Sequence, residues 1–430
     1  MSALADLVSP YVGVLRSLDE LLVGPADARL PIYTCDPASD DRLLGAPLAV
    51  GGVCGLGLDR ASAIGATLGE AAERYSLSFL PTDRVVRRSA RELVGAVDPA
   101  GFGLFCAADL ERPGFPFVRF DADAVVPWID GWELRTGELA WLPAELVALA
   151  DPIEPGGSRI GYATSSGAAC ADTIDEAVVR GLFELLERDA FMLLWTGRLS
   201  LPLLDWGDHG QLVELDRRYF APSGLRYAAI DLSAFHGVPS VLAVVRAPAS
   251  EPAVLGVGAG TATTIERAWW KALSEAFACR AAACRLALLG RGADLADDGS
   301  GVSTFDDHIV FYADERRAAR TAFVDASPER RDVREVMPLP GDAAEVAADL
   351  YDRIAEAGSS AYAVELTAPD VAQLGVRVVK TVAPGLCMLD VPHAARFRGN
   401  PRLLTAAYRL GLAARPLEID ELNPDPHPFP

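Results

Sequence analysis

Pairs of acidic residues within predicted helices are the residues of this chain with the clearest capacity for chemistry. Residues 173–195 contain no proline and one glycine, and their composition predicts a helix. The apolar residues of its second half fall on every side of the helix, which predicts burial all round. Glu184 and Glu187 lie inside that apolar run, followed by Arg188. Because buried carboxylates require a compensating cation, ligand or ion pair, this helix is a candidate centre of a functional site.

A second predicted helix repeats the arrangement. Residues 61–80 follow a glycine-rich turn at 51–57 and carry Glu70 and Glu73, with Arg74 next in the chain. The acid, acid, base triplet therefore occurs twice at the same spacing. Glutamate and arginine are common helix formers, so a coincidence is one explanation. The matching loop-to-helix context favours an internal repeat instead.

A third helix, at residues 264–289, keeps a looser version of the triplet in Glu275 and Arg280. In the central helix, Glu176, Glu184 and Glu187 also project along one edge. For an isolated helix such an edge would more often be a solvated stripe. The apolar surroundings of the second and third acid favour a site over that alternative.

The four paired glutamates would form a cluster of hard oxygen ligands if the two helices face each other. Such ligands suit Mg²⁺ rather than zinc, and Mg²⁺ usually arrives holding phosphate oxygens. An arginine after each pair could neutralise those phosphates through bidentate hydrogen bonds. The residues thus predict a Mg²⁺-nucleotide site. Its members are Glu70, Glu73, Glu184 and Glu187 as metal ligands, with Arg74 and Arg188 at the phosphates.

Other common site patterns are absent from the sequence. There is no G-x-x-x-x-G-K-[ST] motif and no G-x-S-x-G motif, which excludes a P-loop and a serine-nucleophile elbow. Gly256, Gly258 and Gly260 have the wrong spacing for a dinucleotide-binding fingerprint and are interpreted as turn residues. The histidines stand in no recognisable motif and are interpreted as loop or packing residues.

Composition narrows the class of protein. The chain has 430 residues, half of them hydrophobic, so it can bury a large core. A net charge of -21 argues against nucleic acid and anionic membranes as partners. No signal peptide or bilayer-spanning run is visible, and the odd count of seven cysteines shows no C-x-x-C pair. We expect a cytoplasmic enzyme whose cysteines are free thiols.

The elements around these helices predict an α+β fold. A hairpin is expected at residues 126–142, turning at Thr136 and Gly137, and a second strand pair at 225–232 and 238–245. A helix at 343–357 and strands at 361–366 and 376–382 follow. Residues 423–430 alternate with proline and should be extended. By itself such a tail would be a disordered end or a ligand for a proline-binding module.

Several motifs resemble the YcaO family, and the likeness spans most of the chain. They are Ala66-Thr67-Leu68-Gly69-Glu70-Ala71-Ala72-Glu73-Arg74-Tyr75, Ser166-Gly167-Ala168-Ala169 with Glu176-Ala177 and Glu184-x-x-Glu187-Arg188-Asp189-Ala190, Ser274-Glu275-Ala276-x-Ala278-x-Arg280, Leu366-Thr367-x-Pro369-Asp370-Val371, Val382-x-Pro384-Gly385, and the terminal Pro-His-Pro-Phe-Pro. The last three are similar to azoline-forming cyclodehydratases, the D proteins of thiazole/oxazole-modified peptide pathways.

The resemblance implies a YcaO-like fold with mixed sheets and repeated helix units, in one large compact unit. It divides the chain into an N-terminal segment at 1–50, an ATP-binding catalytic domain at 51–422 and a tail at 423–430 that enters the active site. ATP and Mg²⁺ would be the cofactors. The implied nucleotide contacts are Arg74, Glu176, Arg188, Glu275 and Arg280, and the implied catalytic tail residues are Pro426, Pro428 and Pro430.

By the same resemblance, ATP activates backbone amides of a ribosomal precursor peptide so that Cys, Ser or Thr side chains cyclise to thiazoline or oxazoline. The implied partners are that precursor, a separate leader-binding E1-like (ThiF-like) protein, a dehydrogenase of the same pathway, and a second copy or a hetero-complex. Two alternatives stay open: a YcaO thioamide synthetase, and a non-catalytic scaffold that binds the precursor.

Overall fold

Contacts within the chain divide it into two compact units. The computed structural model describes residues 3–38, 53–153 and 157–430, so the start of the predicted glycine-rich turn lies outside the described residues. The first unit contains Met1–Leu22, Pro31–Leu185 and Ala343–Leu386, and the second contains Val23–Leu30, Leu186–Asp342 and Cys387–Pro430. We expected one unit, and composition does not change at these boundaries, one of which falls inside the central helix.

The strands of the described residues form three sheets. In chain order they are β1 (Leu15–Glu20), β2 (Ile32–Pro37), β3 (Cys54–Leu56), β4 (Val85–Arg88), β5 (Val126–Glu133), β6 (Leu139–Pro143), β7 (Ala168–Ala171), β8 (Leu203–Asp205), β9 (Arg226–Asp231), β10 (Ser240–Arg246), β11 (Leu255–Thr261), β12 (Arg330–Asp332), β13 (Tyr362–Glu365) and β14 (Arg377–Val382).

Two sheets belong to the first unit and one to the second. The first unit has the antiparallel sheet β1-β2-β3 and the antiparallel sheet β4-β5-β13-β14-β7, in which β6 also pairs with β5. The second unit has the order β11-β10-β9-β8-β12, where only the β8–β12 pair is parallel. Together with the helices, these sheets confirm the predicted α+β class.

The α-helices range from single turns to long rods. They are α1 (Arg60–Leu77), α2 (Ala107–Leu110), α3 (Ile174–Thr196), α4 (Gly210–Leu215), α5 (Ile265–Leu288), α6 (Phe305–Phe311), α7 (Glu315–Ala318), α8 (Ala343–Glu356), α9 (Pro369–Ala372) and α10 (Arg402–Arg409). Within the described part of the chain, no helix has the length and hydropathy required to cross a membrane.

The three helices that carry the acidic residues follow their sequence signals closely. At the start of α1, the Asp59 side chain accepts a hydrogen bond from Ser62 N, and Thr264 caps α5 in the same way. The central helix α3 matches the predicted span to within a residue at each end. Its residues from Ala190 to Trp195 are buried on all sides, as the continuous apolar run predicted.

The hairpins are also confirmed. Strands β5 and β6 pair around Gly137, whose φ of +72° is the left-handed conformation that a tight turn requires. Strands β9 and β10 pair around Gly237 in the same manner. All seven cysteines are free thiols, which agrees with the absence of paired cysteine motifs.

Each unit has its own apolar core. In the first unit, one face of α1 contributes Leu68, Ala71 and Ala72 and packs with residues such as Leu15 and Val378. In the second unit, the last two turns of α3 pack with β-strand residues, with the end of α6 and with Phe429 of the C-terminal tail. The acidic residues of α1 and α3 are therefore held by helices that are anchored through large buried surfaces.

Candidate active site

Three of the predicted metal ligands are brought together in the first unit. Glu70 and Glu73 come from α1 and Glu184 from α3, and their charges interact. Gly167 N donates to Glu184 Oε2 at 3.2 Å, and the backbone of Cys54 hydrogen-bonds to Glu70. These backbone contacts hold the carboxylates in place independently of any ligand.

Burial and mutual repulsion act against the charged forms of Glu70 and Glu73. Burial raises the pKa of Glu70, while Arg74, 2.8 Å from its carboxylate, opposes the rise. Burial and the neighbouring Glu184 and Glu70 charges raise the pKa of Glu73 well above its usual value. Hard oxygen donors with excess negative charge are what a divalent cation with bound phosphates requires. The residues present therefore fit Mg²⁺.

Lys380 faces the same acids and was missed by the sequence analysis. It lies on β14 and is buried, and its Nζ donates to Thr164 O at 2.6 Å and to Ser166 O. Burial lowers the pKa of Lys380 to about 8, although Glu184 and Glu73 oppose this. A lone lysine inside an apolar strand was the signal that could have identified it.

Glu187, the fourth predicted metal ligand, belongs to the second unit. It is 2% exposed and accepts a hydrogen bond from Thr261 N at 2.7 Å. Lys271 Nζ lies 3.3 Å from its carboxylate, and Arg188 lies 3.2 Å away. Glu187 is thus compensated by two cations within 3.3 Å. It stays a predicted metal ligand, one turn after Glu184 on α3.

Glu275 lies beside this group. Its carboxylate accepts a hydrogen bond from Ala259 N at 2.7 Å. Burial raises the pKa of Glu275 to about 7, with Arg188 opposing the rise and Glu187 adding to it.

The internal repeat has a structural basis in three strand–loop–helix segments. Counting eleven residues from the N-caps Asp59, Thr173 and Thr264 leads to Glu70, Glu184 and Glu275. Each of these glutamates accepts a hydrogen bond from a backbone N–H at the strand that precedes its helix. The third copy has Ala278 where the other two have their second glutamate.

Glycines let the strand lie against the helix in these segments. A Cβ atom on Gly258 would be 2.3 Å from Ala276 N of α5, and one on Gly55 would be 2.2 Å from Thr67 N of α1. Side-chain-free positions are required for so close an approach. Our interpretation of residues 256–260 as a turn was wrong, because these glycines belong to strand β11.

The remaining predicted nucleotide contacts have partners of their own. Glu176 forms an ion pair with Arg180 on the exposed side of α3. Arg280 is 1% exposed and is held by Asp27 at 3.6 Å and Glu251 at 3.5 Å. It also donates to the carbonyl of Ala26. These contacts fasten the segment Val23–Leu30 within the second unit.

Asp189, next to the central triplet, is the centre of a buried network in the second unit. It contacts His236 Nε2 at 2.8 Å and Arg402 at 2.7 Å, and accepts from Cys387 N at 2.7 Å. Burial would raise the pKa of Asp189, but the His236 and Arg402 contacts hold it well below its usual range. His236 is therefore a buried residue that packs against Asp189 and contacts its carboxylate.

The C-terminal tail is packed into the second unit. Trp195 Nε1 donates to Asp425 O at 3.3 Å, and Asn423 Nδ2 donates to Trp195 O at 3.1 Å. Of the three proline residues predicted to be catalytic, Pro426 and Pro428 are buried and Pro430 is half-buried. The Phe429 ring lies under the guanidinium of Arg188. The tail thus reaches the end of the central triplet.

The fold presents three repeated acidic strand–loop–helix segments, two of which carry the predicted metal ligands. A family model described as YcaO cyclodehydratase, ATP- and Mg²⁺-binding, matches residues 54–387. The chain belongs to this family. The family description confirms ATP and Mg²⁺ as cofactors, while the individual site residues and the limits 51–422 and 423–430 stay predictions.

A protein of Methanothermobacter thermautotrophicus described as uncharacterized is 29% identical over 257 residues, which is 59% of this chain and 62% of that protein. A heterocyclase in complex with substrate and cofactor has a TM-score of 0.79 at 24% identity, covering 100% of this chain and 57% of the other. The chain thus spans about three fifths of the length of each of these relatives.

Two further solved structures share the fold. The heterocyclase TruD has a TM-score of 0.67 at 25% identity, covering 86% of this chain and 51% of TruD. YcaO from Methanopyrus kandleri, bound with AMPPCP and Mg²⁺, has a TM-score of 0.63 at 20% identity, covering 89% of this chain and 88% of that one.

Proposed function

We propose that the chain is an ATP-dependent cyclodehydratase that forms thiazoline or oxazoline rings in a ribosomal precursor peptide. The observation that carries the proposal is the half-buried cluster of Glu70, Glu73 and Glu184, in which desolvation and the neighbouring carboxylates raise the pKa values of Glu70 and Glu73. A cluster of this kind is costly unless a divalent cation joins it. Membership in the YcaO family supports ATP as the nucleotide that accompanies that cation.

In this proposal Glu70, Glu73, Glu184 and Glu187 hold Mg²⁺, and Arg74 and Arg188 neutralise the nucleotide phosphates. The buried Nε of Arg74 has no hydrogen-bond partner among the described residues, so it can donate to a phosphate oxygen. Glu275 contacts the nucleotide beside Arg188, with which it interacts electrostatically. Glu176 and Arg280 are the weaker members of the set, because nucleotide binding would have to compete with their present ion pairs.

The chemistry follows from the poor leaving ability of an amide oxygen. A Cys, Ser or Thr side chain of the precursor adds to the preceding carbonyl carbon. Bound ATP supplies a phosphoryl group to the resulting oxyanion, so that the oxygen departs as phosphate when the C=N bond of the azoline forms. The net change is loss of water from the peptide with conversion of ATP to ADP and phosphate. Arg74 and Arg188 would stabilise the charge that develops during transfer.

The tail residues Pro426, Pro428 and Pro430 are proposed to shape the site where the peptide reacts. Proline fixes the backbone φ, so an alternating-proline tail has little conformational freedom. We further propose that the precursor is delivered by a separate leader-binding E1-like partner. We also propose that a dehydrogenase of the same pathway is a partner. The chain is proposed to form a homodimer or a hetero-complex.

Phosphate release with ATP, Mg²⁺, precursor and partner tests the function. Glu73→Gln should reduce both phosphate release and azoline formation at least 100-fold, because one metal ligand loses its charge. The matched control is Glu356→Gln, an exposed glutamate on α8, which should leave both rates unchanged. Phosphate release with a precursor mass loss of water supports the cyclodehydratase. An oxygen-to-sulfur exchange would replace it with a thioamide synthetase, and precursor binding without ATP consumption would indicate a scaffold.

A further inference from the structure

The backbone carbonyls of the tail are bound by two side chains at the end of α6. His308 Nδ1 lies 2.7 Å from His427 O, and the Tyr312 hydroxyl donates to Pro426 O at 2.5 Å. His308 is fully buried and Tyr312 nearly so. The two residues are one helical turn apart, so a single face of α6 and its C-cap contacts two consecutive tail carbonyls.

The composition of the tail explains why the fold binds the tail through its carbonyl oxygens. Proline has no N–H, so Pro426, Pro428 and Pro430 cannot donate to the fold. At its proline positions, such a tail can be held through the main chain only where the surrounding protein supplies donors to carbonyl oxygens. His308 and Tyr312 supply them, and neither residue belongs to the acidic repeat.

The other ring nitrogen of His308 is also engaged. His308 Nε2 lies 2.7 Å from Val391 O, so both ring nitrogens face a carbonyl oxygen. A neutral imidazole carries one N–H and can donate to one of them, whereas the doubly protonated ring donates to both. His427, whose ring stacks on His308 at 3.9 Å, differs: its Nε2 faces Asp390 O, and its Nδ1 accepts from Phe429 N.

The same cluster has the spacing of a metal site, since ligand atoms of His308, Asp390 and His427 lie within 4.8 Å of one another. However, each nitrogen of His308 is within 2.7 Å of a carbonyl oxygen, and Nε2 of His427 is likewise engaged. A metal would have to replace all of these hydrogen bonds. The contacts fit a hydrogen-bonded anchor for the tail.

We infer that His308 and Tyr312 are positioning residues that seat the C-terminal tail for cyclisation, and that the doubly protonated His308 ring seats it more firmly than the neutral ring. The inference rests on the proposed function, because seating matters for turnover only if the tail takes part in the reaction. Neither residue is expected to touch the nucleotide or the reacting atoms.

The charged groups that face His308 influence the pH range in which its ring takes up the second proton. Asp390 and the carbonyls of Val391 and His427 raise the pKa of His308, but burial outweighs them and Arg396 adds to the lowering. His393 also interacts with it. The second proton is therefore taken up on the acidic side of the usual histidine range. As pH falls through that range, the ring gains its second hydrogen bond and the tail should become better seated.

Two variants of the full chain test the inference against a matched control. Tyr312→Phe removes one tail contact, and His308→Gln replaces the ring with an amide whose donors do not titrate. We expect kcat for cyclisation to fall about 10-fold in each, as loss of one buried hydrogen bond implies, with KM for ATP within about 2-fold of wild type. Tyr227→Phe removes a comparable hydroxyl contact, to Asp216 in the same unit, and should leave kcat unchanged.

The pH profile separates positioning from mere stability. Between about pH 7 and about pH 5, the ratio of wild-type kcat to His308→Gln kcat should rise as the pH falls. In the full chain labelled with ¹⁵N in its histidine rings, the ring signals that His308→Gln removes should show uptake of a second proton over that range. Circular dichroism checks that the variants are folded.

The outcomes distinguish the inference from the proposed function. If wild-type protein forms no azoline with precursor and partner, the proposed function fails. If wild type cyclises the precursor but His308→Gln and Tyr312→Phe turn over like Tyr227→Phe, the positioning role is overturned. A His308 ring that keeps a single proton over the whole range, or a kcat ratio that does not change with pH, overturns the role of the second proton.

Discussion

The guanidinium of Arg188 lies over the ring of Phe429, with 4.2 Å between Cζ and the ring centroid. The same guanidinium lies 3.2 Å from the Glu187 carboxylate. One side chain thus contacts both an acidic residue of the central triplet and the penultimate residue of the chain. A displacement of the tail would therefore change the contact with Arg188, and a shift of Arg188 would change its ion pair with Glu187.

Replacing Phe429 with leucine tests this connection. Phe429→Leu keeps most of the apolar volume but removes the ring face under Arg188. A cation–π contact of this kind contributes about 1–2 kcal/mol when desolvated. We expect kcat for ATP-dependent cyclisation to fall about 10-fold, with a change in melting temperature of only a few degrees. Steady-state kinetics and a thermal melt measure the two effects.

The control for that experiment is Phe115→Leu, which removes a cation–π contact with Arg112 in the first unit. It should leave kcat unchanged. If Phe429→Leu alters kcat no more than Phe115→Leu does, the contact between Arg188 and the tail has no part in turnover.

Local sequence signals predicted the helices that carry the acidic residues well. Helices α1 and α3 were predicted because continuous helix-forming residues and N-caps lie within each segment. The residues that were missed depend on contacts between distant parts of the chain. Lys380 faces Glu184 only because β14 pairs with β7, and the partition into two units divides α3 without any change of composition.

The glycines of β11 illustrate the same limit. Their spacing suggested a turn because the sequence contains no sign of α5 lying against them. Gly258→Ala places a Cβ 2.3 Å from Ala276 N, where backbone atoms on both sides must move. Overpacking of this kind costs about 1–3 kcal/mol. We therefore expect the midpoint of urea unfolding to fall for this variant.

The matched control is Gly65→Ala in α1, where a new Cβ has open space. Because alanine is a better helix former than glycine, this variant should be more stable by about 0.5–1 kcal/mol. A Gly258→Ala protein as stable as wild type would show that β11 and α5 are less closely packed than described.

Lys380→Met tests how the acidic cluster is compensated in the absence of a ligand. Removing one partner from a buried group of charges costs about 3–5 kcal/mol, because Glu73 and Glu184 lose a nearby cation. We expect a lower melting temperature without Mg²⁺ and a larger stabilisation on adding Mg²⁺ than in wild type. Thermal melts with EDTA and with Mg²⁺ measure both.

Lys380→Arg keeps the positive charge and provides the comparison. It should melt closer to wild type and respond to Mg²⁺ to a similar extent. An equal response to Mg²⁺ in all three proteins would mean that Lys380 and the cation do not compensate the same carboxylates.

Glu145 provides a pH-dependent test in the first unit that is independent of the proposed site. Its buried carboxyl accepts hydrogen bonds from Ile160 N at 3.1 Å and Gly161 N at 3.4 Å, yet burial raises its pKa from 4.5 to about 7. Between these two values the folded protein binds more protons than the unfolded chain. The contribution of Glu145 to stability is therefore greatest at low pH and is lost as the pH rises toward about 7.

The variant Glu145→Gln keeps an acceptor and removes the titration. At about pH 8 it should therefore be more stable than wild type by up to about 3 kcal/mol, and this difference should shrink toward pH 4.5. Urea unfolding across this pH range measures the difference, with the exposed Glu138→Gln as the control that should match wild type. A constant offset between Glu145→Gln and wild type at every pH would show that Glu145 does not titrate in this range.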